Sequence, residues 1–174
     1  MAIDNDTSLI IPVSEAAFLQ PFRERYLHRP GVTMPPHISI PAPFKPLREL
    51  AKDGYLRLTM ICASFPAFGF TLERLARFNE TGVLYLRPEP TEPFMALSRA
   101  LSAPDPPPLE NHASIIFHLT LARKQPPDLD QLEAEFNQTY GAQLPIRAVA
   151  LEVSLYEKRG ERWNKEASLP LGTT

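Results

Sequence analysis

Short apolar runs alternate with longer amphipathic stretches along the chain, and the first of them predict a strand followed by a helix. Leu9 to Val13 is an apolar run of strand length, and Ser14 can cap the helix that follows it. The core-facing positions of this predicted helix are Ala17, Phe18, Phe22 and Leu27. The chain therefore begins with a strand and helix unit.

The next segments predict strands on either side of a helical region. Residues 35–41 are too few and too rich in proline for a helix, so they are interpreted as a strand. A pair of helices is predicted over residues 46–64, interrupted at Asp53-Gly54 by a turn dipeptide. Residues 68–78 and 83–87 flank a glycine-containing connection at 79–82, which predicts an antiparallel pair.

The rest of the chain continues the mixture of helices and strands. Residues 92–101 predict a helix, and residues 103–111 a loop whose prolines fix φ and remove backbone donors. A strand is predicted over 113–122, a helix capped by Asp128 or Asp130 and ending at Gly141, and two strands over 144–157 and 163–169. This order favours an α+β fold with antiparallel sheets flanked by helices.

The motif His-x-[Ser/Thr] occurs on two of the predicted strands, each preceded and followed by a helical segment. The repetition predicts two pseudo-symmetric lobes around a central cleft. The length of 174 residues is that of one typical domain, so residues 1–174 are expected to form a single domain with these two lobes.

The charge balance limits the class of ligand. With 18 basic and 20 acidic residues the formal net charge is −2, which leaves no broad basic surface for duplex DNA. A small phosphorylated ligand or an RNA end fits this balance better. The sequence does not reveal an oligomeric state, and a monomer is the default expectation.

Cysteine usage and hydropathy indicate the compartment. Cys62 is the only cysteine, so no disulfide framework and no cysteine-based zinc site are expected, which suits a reducing compartment. The acidic N-terminus lacks the pattern of a signal peptide, and no run of about 18 apolar residues predicts a membrane span. A cytoplasmic protein is expected.

Two of the histidine motifs share a common frame. Side chains alternate between the faces of a strand, so His37 and Ser39 lie on one face and Ile38 on the other. The same alternation places His118 and Thr120 together on one face of their strand. Each strand therefore presents an imidazole beside a hydroxyl.

This pair of motifs suits phosphoryl transfer. In-line displacement at phosphorus needs a base on the nucleophile and an acid on the leaving oxygen, and two imidazoles with ordinary pKa values of about 6.5 can share those tasks. The hydroxyls of Ser39 and Thr120 can bond the non-bridging phosphate oxygens. The pattern does not reveal which histidine is the base.

A third motif, His112-Ala-Ser114, lacks the apolar frame and follows the proline-rich segment, so it is interpreted as a decoy or an auxiliary group. His28, near a predicted helix end, is expected to cap carbonyls or face water. The four histidines show no His-Glu-x-x-His spacing, and motifs for nucleotide cofactors are absent, so neither a metal nor a cofactor is expected.

The segment Pro36-His37-Ile-Ser-Ile-Pro-Ala-Pro-Phe44, followed 81 residues after its histidine by His118-Leu-Thr-Leu-Ala-Arg123, resembles the 2′-5′ RNA ligase-like branch of the two-histidine (2H) phosphoesterase superfamily. Leu9-Ile-Ile-Pro-Val13 and Gly82-Val-Leu-Tyr-Leu86 are also similar to that family. In this chain Ser39 stands where the family often has Thr, and Phe117 replaces a frequent Pro.

The resemblance implies a bilobal α+β fold, no metal, and cleavage or formation of 2′,3′-cyclic or 2′-5′ phosphodiester bonds in RNA ends or small nucleotides. The catalytic residues that it carries over are His37, Ser39, His118 and Thr120. Phe44, as a platform for a base, and Arg123, as a phosphate contact, are the candidate substrate-binding residues.

Two other functions remain open at this stage. The first is a non-catalytic module that binds RNA ends or nucleotides through a degenerate cleft, and the second is a metal-binding protein. Turnover that depends on both histidines would distinguish the enzyme from the binding module. Stoichiometric zinc in the purified protein would support the metal-binding protein.

Overall fold

A computed structural model describes residues 7–27, 34–41, 49–50, 52–102, 115–123 and 128–173. Eight strands and four α-helices lie within them. The strands are β1 Thr7–Pro12, β2 His37–Ser39, β3 Phe68–Phe78, β4 Val83–Glu89, β5 Leu119–Arg123, β6 Ile146–Ala150, β7 Glu152–Arg159 and β8 Arg162–Pro170. The α-helices are α1 Gln20–Tyr26, α2 Lys52–Ser64, α3 Glu92–Ser102 and α4 Leu129–Tyr140, and 3-10 turns span Ser14–Leu19 and Gly141–Gln143.

The eight strands form one sheet in the order β6-β3-β4-β5-β2-β1-β7-β8. Each neighbouring pair runs antiparallel. The predicted α+β class with antiparallel strands is confirmed. β5 and β2 lie at the centre, so the sheet has two halves of four strands, an order compatible with the predicted lobes.

One face of the sheet is joined to the helices by a continuous apolar core. Ile38 of β2 and Leu119 of β5 are fully buried in it. Phe94 of α3 makes edge contacts with Phe68 and Phe70 of β3, with ring centroids 5.0 and 5.1 Å apart. The side chains on the alternate positions of β2 and β5 therefore point away from this core.

The predicted break at Asp53-Gly54 is wrong, because α2 runs continuously from Lys52 to Ser64. Both residues lie in the first turn, where the backbone N–H groups have no partner within the helix. The conformational freedom of glycine destabilises a helix less in its first turn than in its interior. The residues predicted as the preceding helix lie largely outside the described part, and none of the described helices is long and apolar enough to cross a membrane.

The single strand predicted over 144–157 is also wrong. The chain forms two strands there, and β6 pairs with β3 whereas β7 pairs with β1 in the other half of the sheet. The side chains that join the main core are at even positions in β6 but at Val153 and Leu155 in β7, and Leu151 between the strands is 65% exposed. That change of phase marks a break that the apolar composition hides.

Two predicted helix starts have different outcomes. Ser14 is not a cap, because the chain enters a 3-10 turn after Val13 and the Ser14 hydroxyl donates to Glu15. This turn exposes Ala17 and buries Ala16 instead. Asp128, the first of the two candidates for α4, is confirmed as its N-cap and accepts a hydrogen bond of 3.0 Å from the backbone of Gln131.

The strand predicted over 113–122 begins later than expected. β5 starts at Leu119, so His118 directly precedes the strand, and residues 113–114 lie outside the described part. The predicted hairpin of β3 and β4 and the predicted helix α3 are confirmed. The proline-rich segment 103–111 also lies outside the described residues.

Candidate active site

The pairing of β2 with β5 brings the two histidine motifs side by side. Ile38 lies opposite Leu119 in an antiparallel register. Continuing that register by one residue in each direction places His37 opposite Thr120, and Ser39 opposite His118. Because Ile38 and Leu119 point into the core, the two imidazoles and two hydroxyls share the other face. The arrangement has a local twofold relation between the motifs.

Both imidazoles are held in the same way by the backbone. The Nδ1 atom of His37 lies 2.7 Å from the carbonyl oxygen of Pro35, and Nδ1 of His118 lies 2.8 Å from that of Ile116. A carbonyl oxygen only accepts, so each Nδ1 carries a hydrogen and donates. Nε2 is therefore the atom that gains or loses a proton in each ring.

His37 is held in its neutral form. The pKa of His37 is lowered to about 4, chiefly by burial and to a smaller extent by the charges of Arg23 and His118, against the opposing effect of the Pro35 hydrogen bond. A neutral imidazole at physiological pH offers the lone pair of Nε2 to a proton. The cleft therefore contains an imidazole nitrogen that is unprotonated at physiological pH.

Arg23 lines the same cleft as the two motifs and was not among the site residues predicted from the sequence. Its side chain is 2% exposed, and burial lowers its pKa to about 10, so it remains a cation. Nε donates 2.9 Å to the carbonyl oxygen of Thr120, and Nη1 donates to Gln20 and to the carbonyl oxygen of Met34, at 2.6 and 3.3 Å. The guanidinium therefore ties α1 to β5.

A sequence signal for Arg23 did exist. It stands four residues after Leu19 and three before Tyr26, both of which are buried. These spacings place it on the apolar face of the helical segment. An arginine on such a face is rarely buried without a specific set of acceptors, so it marks a candidate functional position.

Two aromatic rings fix the orientation of His118. Phe78 and Tyr85 stack on one another with ring centroids 4.3 Å apart. Both approach the imidazole edge-on, with centroids 5.2 and 5.3 Å from it. Tyr85 lies opposite Thr120 in the register of β4 and β5, so this aromatic support belongs to the same face of the sheet.

The four motif side chains line one cleft with a volume of about 220 Å³. Arg123 lines the same cleft, as do Arg23 and Trp163. A wider groove of about 370 Å³ runs along α2, and neither histidine contributes to it. Phe44, His28 and His112 lie outside the described residues.

The described residues contain no group of three or more His, Cys, Asp or Glu side chains arranged to hold a metal ion. Cys62 is buried, and its burial raises the thiol pKa to about 11. Of the chemically reactive groups described, the two imidazoles are therefore the ones that face a cleft with neighbouring hydroxyls and cations.

Comparison with known structures identifies the fold. Escherichia coli LigT, solved with ATP, is similar with a TM-score of 0.57 and 14% identity, over 96% of this chain and 98% of LigT. The same protein solved with 3′-AMP gives a TM-score of 0.55 and 14% identity, over 97% and 98%. A crystal structure described as a phosphoesterase gives 0.56 and 15%, over 96% and 98%.

Comparison with curated protein sequences finds no match. The family described as the 2′-5′ RNA ligase superfamily matches residues 11–161, which include both histidine motifs and most of the chain. This membership supports a phosphoesterase activity. The chain belongs to the 2′-5′ RNA ligase superfamily of two-histidine phosphoesterases.

Proposed function

We propose that this protein is a phosphodiesterase that hydrolyses 2′,3′-cyclic or 2′-5′ phosphodiester bonds of RNA ends or small nucleotides without a metal ion. The observation that carries the proposal is the register of Ile38 with Leu119, which gathers two imidazoles and two hydroxyls on one face. The nucleotide-bound structures of the similar protein LigT support a nucleotide as ligand.

The scissile phosphate binds between the two motifs. The hydroxyls of Ser39 and Thr120 donate to its non-bridging oxygens, and the cations of Arg23 and Arg123, which line the cleft, balance its negative charge. These donors are fixed by the sheet before the substrate arrives. They therefore stabilise the extra charge of the transition state without reorganising.

His37 is the general base. Its Nδ1 hydrogen is engaged with Pro35, and its lowered pKa keeps Nε2 unprotonated, so Nε2 accepts a proton from water as that water attacks phosphorus. His118, across the twofold relation, donates the proton on its Nε2 to the departing ribose oxygen. The proton gained by His37 and the one lost by His118 are then exchanged with solvent, which restores the starting state.

The chemistry allows both directions. For a 2′,3′-cyclic substrate, the family resemblance favours departure of the 3′ oxygen and a 2′-phosphate product. The reverse reaction uses the same groups by microscopic reversibility and joins ends through a 2′-5′ bond, but water in excess disfavours it. Hydrolysis is therefore the proposed activity.

The test is hydrolysis of 2′,3′-cyclic nucleotides and a 2′-5′ dinucleotide in excess EDTA by the wild type, His37→Ala and His118→Ala. We expect a chelator-resistant rate that falls by at least about 10²-fold in either variant. Retained nucleotide binding with no turnover by the wild type would instead indicate a binding module. A rate indifferent to both substitutions, or abolished by EDTA, would contradict the mechanism.

A further inference from the structure

The cleft is chemically unequal on its two sides, although the two motifs are related by a local twofold. On the side of β1, Trp163 of β8 lines the cleft together with Met34. Trp163 packs against a small buried cluster of Ile10, Met34 and Tyr156, which is separate from the main core. One side of the cleft therefore ends in an apolar, aromatic wall.

Strand register places this wall beside the phosphate site. Ile10 of β1 lies opposite Ser39, and Ser8 lies opposite Tyr156 of β7. Directly opposed residues of an antiparallel pair point to the same face, so Ile10 shares the face of Ser39. Trp163 packs against the cluster that contains Ile10 and lines the same cleft as Ser39, so it lies on the histidine-bearing face.

The aromatic residues on the other side have a different task. Phe78 and Tyr85 stack on each other and hold the edge of His118, and neither lines the cleft in the described residues. Trp163, by contrast, lines the cleft together with the four motif residues. The aromatic ring that lines the cleft is therefore the one that β8 provides.

We propose that Trp163 is the platform on which a nucleobase stacks when its ribose phosphate lies between His37 and His118. The inference rests on the proposed function and adds the position of the base within the cleft. Indole is the largest aromatic side chain and stacks on any base, because each base presents a π face. The cluster of Ile10, Met34 and Tyr156 packs against the indole ring and supports it.

The chain contains one tryptophan, so its fluorescence reports on this wall alone. We would titrate the protein with adenosine 2′-monophosphate and, separately, with inorganic phosphate, and measure both affinities by calorimetry. Trp163→Leu keeps an apolar side chain on the cluster but removes the π face, and Trp163→Phe is the conservative partner. Circular dichroism verifies that both variants are folded.

We expect saturable quenching by the nucleotide and little by phosphate. Trp163→Leu should bind the nucleotide about 5- to 100-fold more weakly, Trp163→Phe should recover most of the affinity, and phosphate should bind all three proteins alike. Equal nucleotide affinity in the wild type and Trp163→Leu would overturn the inference. An equal loss for nucleotide and phosphate would also overturn it, because it would indicate a damaged cleft.

These outcomes are distinct from failure of the proposed function. Selective nucleotide binding that depends on Trp163, without turnover, would keep this inference and refute the phosphodiesterase. Turnover that depends on both histidines, with unchanged nucleotide affinity in Trp163→Leu, would keep the phosphodiesterase and refute the inference.

Discussion

The Nε atom of Arg23 donates a hydrogen bond of 2.9 Å to the backbone carbonyl oxygen of Thr120, a residue 97 positions later in the chain. The bond crosses from α1 to the strand that carries the second motif. Because Arg23 is 2% exposed, its charge acts on the cleft with little screening by water. The same side chain thus supports the backbone of one motif, and its charge adds to the burial that lowers the pKa of the histidine in the other.

Replacing Arg23 by Met should destabilise the fold strongly. The substitution leaves the carbonyl oxygens of Thr120 and Met34 without their donor in a buried place, at a cost of about 2–4 kcal/mol in the free energy of unfolding. Urea unfolding measures the loss. Arg25→Met is the matched control on the same helix, because its salt bridge to Glu135 involves a side chain that is 70% exposed. We expect about 1 kcal/mol or less there, and similar losses in the two variants would contradict the role given to Arg23.

The neutral state of His37 should make stability depend on pH. Its pKa is about 4 in the folded protein and about 6.5 in the unfolded chain, so between these values the unfolded chain binds more protons. The contribution of His37 to the free energy of unfolding is therefore fully present above about pH 6.5. It falls as the pH decreases and is lost below about pH 4. Between pH 7 and 5 the loss is about 2 kcal/mol.

The control for this effect is His37→Gln, which removes the titrating imidazole while the carboxylates of the protein continue to titrate. The difference between the two proteins in the pH dependence of urea unfolding isolates His37. For the active enzyme, the acid limb of the kcat/KM profile should lie near pH 4, because kcat/KM reports the pKa of the base in the free enzyme. A limb near pH 6.5, or equal pH dependences of unfolding, would refute the lowered pKa.

The hydroxyl of Thr120 can be tested without disturbing the sheet. Thr120→Val keeps the shape and the backbone hydrogen bond from Arg23 but removes the donor to phosphate. We expect kcat to fall by about 10²- to 10³-fold, as for the loss of one preorganised donor, with Thr120→Ser close to the wild type. Initial rates with a 2′,3′-cyclic nucleotide measure it. Full activity in Thr120→Val would exclude the hydroxyl from the reaction.

Much of the fold and most of the motif arrangement could be predicted from the sequence. Alternation over β2 places His37 and Ser39 on one face whatever the partner strand, because alternation is a local property. That β2 and β5 are neighbours, with Ile38 against Leu119, depends on long-range pairing that no local pattern encodes. The same reason explains the division of residues 144–157 between the two halves of the sheet.

The supporting residues were harder to predict than the reacting ones. The spacing of Arg23 marks it as a candidate, but its role follows only from acceptors that other parts of the chain provide. Trp163 lies on a strand whose pairing with β7 brings it to the cleft. Phe44 was predicted from the family-like segment and lies outside the described residues, so its role stays a prediction.

Gly172 should tolerate no side chain. A Cβ atom there would overlap the carbonyl oxygen of Ala63, and the residue also forms a parallel bridge with Pro66. Gly172→Ala must move the end of α2 or the final segment, so we expect a loss of about 1–3 kcal/mol in thermal or urea unfolding. Gly69→Ala, whose nearest contact would be 3.9 Å away, is the control and should change stability much less. Equal stability of the two variants would show that the contact relaxes freely.

The start of α4 offers a paired test. Asp128 accepts from the backbone of Gln131, so Asp128→Ala should cost about 1 kcal/mol. Asp130 instead pairs with Arg77 through a carboxylate that is 81% exposed, and Asp130→Ala should cost about half as much or less. Thermal unfolding compares them, and a larger loss in Asp130→Ala would reverse the assignment of the cap.

The local twofold between the motifs has a consequence for how a substrate is threaded. A phosphodiester has no twofold symmetry, since its two ester oxygens belong to different sugars in a 2′-5′ bond and to different carbons of one ribose in a 2′,3′-cyclic phosphate. The paired motifs alone would nevertheless accept it in either direction. The asymmetry lies around them, because burial and the charge of Arg23 lower the pKa of His37, whereas Phe78 and Tyr85 contact the ring of His118. On the proposed function, these neighbours make the two directions of binding unequal. The site then binds the phosphodiester in one orientation, and the same ester oxygen always leaves.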